Sequence, residues 1–107
     1  MADDPGADRR AHPRAQVRVP ARVRTEVGVL EAETVDLSEG GMLLDSEDLP
    51  SADEVWIDLE LADLGWRSFR GKVVRREEAN GTSRFAARLA EEALEGRDAL
   101  RTFLAGL

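Results

Sequence analysis

Val35-Asp36-Leu37-Ser38-Glu39-Gly40-Gly41-Met42-Leu43-Leu44 places a carboxylate, a hydroxyl and two adjacent glycines between apolar positions that alternate as a strand does. Alternation on either side of a polar middle predicts a bend between two strands. The short side-chain oxygens of Asp36 and Ser38 can bond nearby amides, and Gly40 and Gly41 are expected to accept positive φ at little cost. Such a bend leaves a carboxylate, a hydroxyl and backbone amides to meet a ligand whose approach a Cβ would block. By itself, the spacing D-x-S-x-x-G through Asp36, Ser38 and Gly41 is that of a tight turn.

The flanks extend the strand reading. From Gln16 to Val27 the odd positions Val17, Val19, Ala21, Val23, Thr25 and Val27 alternate with mostly charged ones, which predicts a half-buried strand. Pro20 within it predicts an edge or a bulge. Gly28 then allows a turn, Val29 to Leu37 returns into the bend, and Met42 to Leu44 begins a third strand. Asp45 to Asp53 reads as loop. In Glu54 to Leu61, the residues Val55, Ile57, Leu59 and Leu61 face one way and Trp56, Asp58 and Glu60 the other. Trp66 to Glu77 is a long fifth strand, and Asn80-Gly81 predicts a hairpin turn into Ser83 to Leu89. Short strands at this spacing with no helix between them predict a mostly β fold, a small six-stranded antiparallel barrel closed against exposed edges. The period changes at the end: Leu100, Phe103, Leu104 and Leu107 fall at i, i+3, i+4 and i+7, a stripe on a helix from about 94 or 97 to 107. So short a helix must pack on the barrel or on a partner. Trp56, facing away from its strand's apolar side, is expected to lie beneath it, the alternative being an exposed partner site.

Composition narrows the classes. A chain of 107 residues, 42 % hydrophobic and 35 % charged, suits one domain burying roughly 60–68 % of its unfolded surface. No apolar run approaches the roughly 20 residues of a membrane helix, so no membrane insertion is expected. Met1 to Asp8 reads as a flexible tail with three aspartates and no secretory signal, and the expected location is cytoplasmic. Without cysteine there is no disulfide, thiolate metal site or thiol nucleophile. His12 is the only histidine and adjoins Pro13 in a basic loop, and Ser38 lacks the strand-to-helix elbow of a serine nucleophile. The carboxylates show no metal-loop spacing. Together these argue against an enzyme, with no catalytic residue, metal or cofactor assigned.

The net charge of −7 conceals a separation. Arg9, Arg10, Arg14, Arg18, Arg22 and Arg24 share a segment without an acid, whereas Thr25 to Trp66 holds thirteen acids and no Lys or Arg. One end of the sequence is therefore prepared for an anion. Arg18, Arg22 and Arg24, on a strand, are expected to pair across to neighbouring strands. Arg9, Arg10 and Arg14 lie in a lead-in that Pro13 keeps out of helix, a mobile arm over residues 9–15.

Arg10 and Arg14 form an R-x-x-x-R pair, and R-x-x-x-R followed by D-x-S-x-x-G in a strand-rich chain resembles the PilZ domain, the bacterial receptor module for cyclic di-GMP. The resemblance runs from about Arg9 to Leu107 and implies a six-stranded barrel ending in a helix. It implies Arg10 and Arg14 on phosphate and guanine, Asp36 and Ser38 as polar contacts, and Gly41, with Gly40 beside it, keeping the bend open. The chemistry is coherent: a guanidinium fork matches guanine O6 and N7, and a carboxylate accepts from N1 and N2. In PilZ domains an arginine at the position of Arg9 goes with two stacked ligand molecules, so one or two per chain are expected. The final strand, Phe85-Ala86-Ala87-Arg88-Leu89, departs from the glycine and aromatic often found there. The resemblance implies a non-enzymatic receptor or adaptor, monomeric or homodimeric, that engages an effector protein and no nucleic acid. A PilZ-like adaptor that binds no nucleotide, and a barrel for single-stranded nucleic acid, are the alternatives.

Overall fold

Alternating apolar side chains roll the chain into a barrel. The computed structural model describes residues 14–79, 81–90 and 94–107. Six antiparallel strands, β1 (Pro20–Thr25), β2 (Gly28–Leu37), β3 (Gly41–Ser46), β4 (Glu54–Glu60), β5 (Trp66–Ala79) and β6 (Thr82–Leu89), close in the order β1-β2-β3-β6-β5-β4. Because β1 pairs with both β2 and β4, the sheet has no open side edge to template unwanted pairing. A 3₁₀ turn at Ala62–Leu64 links β4 to β5, and helix α1 (Leu94–Ala105) follows β6. Val23, Leu37, Leu44, Ile57, Leu59, Phe69 and Phe85 are fully buried in the interior. Each such side chain contributes roughly 1.5–3 kcal/mol by leaving water.

Two bulges break the period of two. In β2 the pairing with β3 slips between Thr34 and Asp36, so Val35 is the extra residue. Leu30, Ala32 and Thr34 turn towards the core before it, and Leu37 after it. Strict alternation would have aimed Asp36 inward; the bulge turns it out and delivers Leu37 to the core. In β5 the pairing with β6 slips between Val73 and Arg75, leaving Val74 half-exposed on the outer wall. Bulges of this kind re-aim side chains and concentrate beside binding sites.

Several expectations are corrected. The first strand begins at Pro20, not Gln16. The residues before it run beside β2 on other bonds: Val19 N–H donates to buried Thr34 Oγ1 (2.8 Å), and Thr34 N–H to the Val19 carbonyl (3.0 Å). Pro20, with no N–H to donate, stands at the strand's first position. The third strand runs on through Asp45 and Ser46, because Arg84 Nε (2.6 Å) and Arg18 Nη1 (3.0 Å) both bond the Asp45 carboxylate. Helix α1 lays Leu100 into the core and Phe103 and Leu104 against it, beside the 3₁₀ turn and β5. Leu107 lies beyond the helix and is exposed. Trp56 is not under α1. It stands on the outer wall, 44 % exposed, with the guanidinium carbons of Arg24 and Arg70 at 5.7 and 5.9 Å from its ring.

Candidate functional site

The bend between β2 and β3 is tied by one hydroxyl. Ser38 Oγ accepts from the N–H groups of Gly40 (3.3 Å) and Gly41 (3.2 Å) and lies 3.2 Å from the Gly41 carbonyl, to which Ser38 N–H donates at 2.9 Å. Ser38 is buried and works as the staple of the turn. The glycines serve differently from expectation. Neither Gly40 nor Gly41 has positive φ, which among the described residues belongs to Gly28, Gly65, Gly81 and Ala62. A Cβ on Gly41 would instead stand 2.7 Å from the Ala87 carbonyl oxygen of β6, so glycine is required there by close approach of two backbones. Gly40 accepts from Leu89 N–H (2.9 Å), which fastens the bend to β6.

The lead-in reaches this bend through a short bridge. Ala15 and Leu37 exchange both backbone hydrogen bonds, each at 2.9 Å. That bridge sets Arg14 at the mouth of the bend, where its Nη1 is 3.9 Å from Asp36 Oδ2, a loose ion pair. Arg14, Asp36, Ser38, Gly40 and Gly41 thus line one groove of about 290 Å³ on the outer wall. Arg9 and Arg10, together with His12 and the tail, lie outside the described residues.

The opposite bank was not anticipated. Val74 and Arg75 at the β5 bulge, and Ala86 and Arg88 on β6, complete the groove. The run Val73-Val74-Arg75-Arg76 breaks strand alternation and was the available signal for the bulge. Arg88 sits directly across from Gly41 in the ladder, with no side chain opposite to cover it. The groove therefore offers one carboxylate, several guanidinium groups and an apolar floor, a set able to hold a planar, acceptor-rich and anionic ligand. Among the described residues no group of three or more His, Asp or Glu side chains could hold a metal ion.

Several arginines elsewhere are tied to carboxylates. Arg24 makes a two-pronged bond to Asp58 (2.8 and 2.8 Å), which Ser68 Oγ also meets at 2.7 Å. Burial pushes the Asp58 carboxyl upward, but the bonds from Arg24 and Ser68 outweigh it and hold the group below the usual carboxylate range. The Arg84 guanidinium, aided by Arg18, likewise holds Asp45 low against the opposing effect of burial. Arg22 approaches Glu31 at 3.6 Å and lies over Trp66. Arg18, Arg22 and Arg24 therefore pair across strands as the sequence suggested. Glu39, in the bend itself, accepts from Arg101 Nε of α1 at 3.0 Å.

Fold and site together define a class: a closed antiparallel barrel whose candidate pocket lies on its outer wall, at a bulged corner beside the incoming chain. A family model, the PilZ domain, matches residues 8–106, and the chain belongs to that family. No curated protein matches the chain. Among solved structures, it is similar to the PilZ domain with c-di-GMP of YcgR from Escherichia coli, at 18 % identity and a TM-score of 0.75, covering 92 % of this chain and 91 % of that one. It is similar to the Bacillus subtilis inhibitor of motility MotI/DgrA, at 15 % identity and a TM-score of 0.71, covering 91 % of this chain and 50 % of that one. The chain thus spans half the length of MotI/DgrA. The PilZ domain of CeSA from a cellulose-synthesizing bacterium aligns at 21 % identity and a TM-score of 0.64, covering 87 % of this chain and 95 % of that one.

Proposed function

We propose that this chain is a non-enzymatic receptor for cyclic di-GMP that converts binding into altered contact with an effector protein. The observation carrying the reading is the groove itself, where the Asp36 carboxylate and the Arg14 guanidinium are only 3.9 Å apart and only loosely paired. Asp36 suits the N1 and N2 hydrogens of a guanine, and Arg14 suits its O6 and N7 or a phosphate. Arg10, and Arg9 beside it, bring further guanidinium groups to the same ligand on the arm, with one or two nucleotides per chain. Family membership and the c-di-GMP-bound PilZ domain of YcgR support the ligand class. The bend that holds Ser38 and Gly41 also carries Glu39, bonded to Arg101. A ligand that shifts the bend acts through this pair on α1, which gives an effector something to read.

The test is calorimetric titration of the purified chain with cyclic di-GMP, with Arg10→Ala and Arg14→Ala beside it. Micromolar or tighter binding that weakens at least about tenfold in both variants is expected. An isotherm unaltered in the arginine variants would refute the assignment.

A further inference from the structure

Beyond Arg88 the outer wall continues into a second cleft of about 310 Å³, which the groove and the cleft share through that one side chain. Its walls include Lys72, Arg70 and Glu54, with Leu89 and Ala90. The ladder fixes an unusual row: Gly41 pairs with Arg88, Arg88 with Lys72, and Lys72 with Glu54. Arg88 and Lys72 are thus two cations directly opposite on neighbouring strands, an arrangement that disfavours the sheet. Among the described residues no ion pair or side-chain hydrogen bond engages Arg88 or Lys72, and both are exposed. A few residues away, Arg84 and Arg76 are tied to Asp45 and Asp53. The like-charge pair therefore lacks a structural purpose where its neighbours have one, and it stands at the edge of a groove already suited to an anionic nucleotide.

Resting on the cyclic di-GMP reading above, we propose that Arg88 and Lys72 form a second phosphodiester position, which receives a phosphate of the nucleotide held in the groove. Arg88 is the hinge of the arrangement: bare Gly41 on one side lets its fork reach the groove, and Lys72 on the other adds a point charge from the cleft. The phosphate relieves the repulsion between the two cations, so ligand binding removes a cost that the free barrel bears. Glu54 across from Lys72 limits the position to a single anionic group and disfavours a long polyanion.

The test compares the full chain with Arg88→Gln and Lys72→Gln by calorimetry with cyclic di-GMP at several salt concentrations. Each variant is expected to bind about tenfold more weakly, as loss of a charge-assisted contact implies, and to show a shallower fall of affinity with salt than the unaltered chain. Arg88→Lys should fall between, having the charge and not the fork. The free Arg88→Gln variant should melt no lower than the unaltered chain, since a repulsive pair has been removed while Lys72 keeps Glu54 opposite it. Unchanged affinity and salt slope in both variants, with the unaltered chain binding normally, overturns this inference and leaves the receptor reading standing. A lowered melting temperature in free Arg88→Gln overturns it too, by making the pair structural. Failure of the unaltered chain to bind overturns both.

Discussion

Two parts of the same barrel wall carry arginine beside aspartate, and they are built to opposite ends. On β1 and β4, Arg24 and Asp58 meet in two bonds of 2.8 Å with Ser68 completing the carboxylate's shell. In the groove, Arg14 and Asp36 stand 3.9 Å apart, and the Asp36 carboxylate accepts no hydrogen bond among the described residues. A pair whose donors and acceptors are consumed holds strands in register. A pair left slack at a bulge, over a floor cleared by glycine, retains its hydrogen-bonding capacity for something else.

That contrast can be broken most directly at the slack pair. Arg14→Ala should weaken cyclic di-GMP binding roughly tenfold to a hundredfold, as loss of a charge-assisted contact of about 1.5–3 kcal/mol implies. Arg24→Ala should leave the isotherm unchanged. Equal effects from the two substitutions would show that geometry does not separate ligand arginines from structural ones. Asp36→Asn keeps the size and removes the acceptor charge, and calorimetry should register a loss of about tenfold with little change in melting temperature.

The next effect falls on stability. Gly41→Ala sets a Cβ against the Ala87 carbonyl, a backbone atom that cannot rotate away, and chemical denaturation should show a loss of about 1–3 kcal/mol. A neutral result would mean that β3 and β6 part readily at the groove. At the satisfied pair, Arg24→Ala should cost less than about 1 kcal/mol, because Arg24 is partly exposed and water screens the bond.

The smallest effect is in pH. Asp45 and Asp58 have folded pKa values held below those of the unfolded chain. Their contribution is therefore complete above the ordinary aspartate value of about 3.9 and is lost as pH falls through the depressed folded values. Denaturation midpoints should be level from neutral pH down to about 5 and decline below about 4. In a double variant, Asp45→Asn with Asp58→Asn, that decline should flatten; an undiminished decline would assign it to other carboxylates.

The readable parts of this protein share a physical feature, which is local period. Val55, Ile57 and Leu59 are buried and Trp56 and Glu60 exposed, as strict alternation requires, and Leu100 anchors a helix announced by its spacing. Alternation fails wherever a partner strand adds or withdraws a residue. The bulge at Val35 that turns Asp36 outward depends on β3, and the bulge at Val74 depends on β6. Trp56, expected beneath α1, is instead flanked on the outer wall by guanidinium groups from β1 and β5. The groove was legible on the D-x-S-x-x-G side, where four residues lie within six positions, and illegible on the side supplied by Val74, Arg75 and Arg88.

The order of residues alone determined a strand-rich barrel with a terminal helix, an arginine-bearing lead-in and a polar bend, because period, turn chemistry and charge distribution act over a few neighbouring positions. Tertiary structure alone decided which arginines are spent on aspartates and which face the groove. It also decided why residue 41 must be glycine: the constraint is not φ but a carbonyl 2.7 Å away on a strand more than forty residues later. Side chains of one kind become different in function only when strands distant in sequence close around them and satisfy some of their hydrogen bonds and not others.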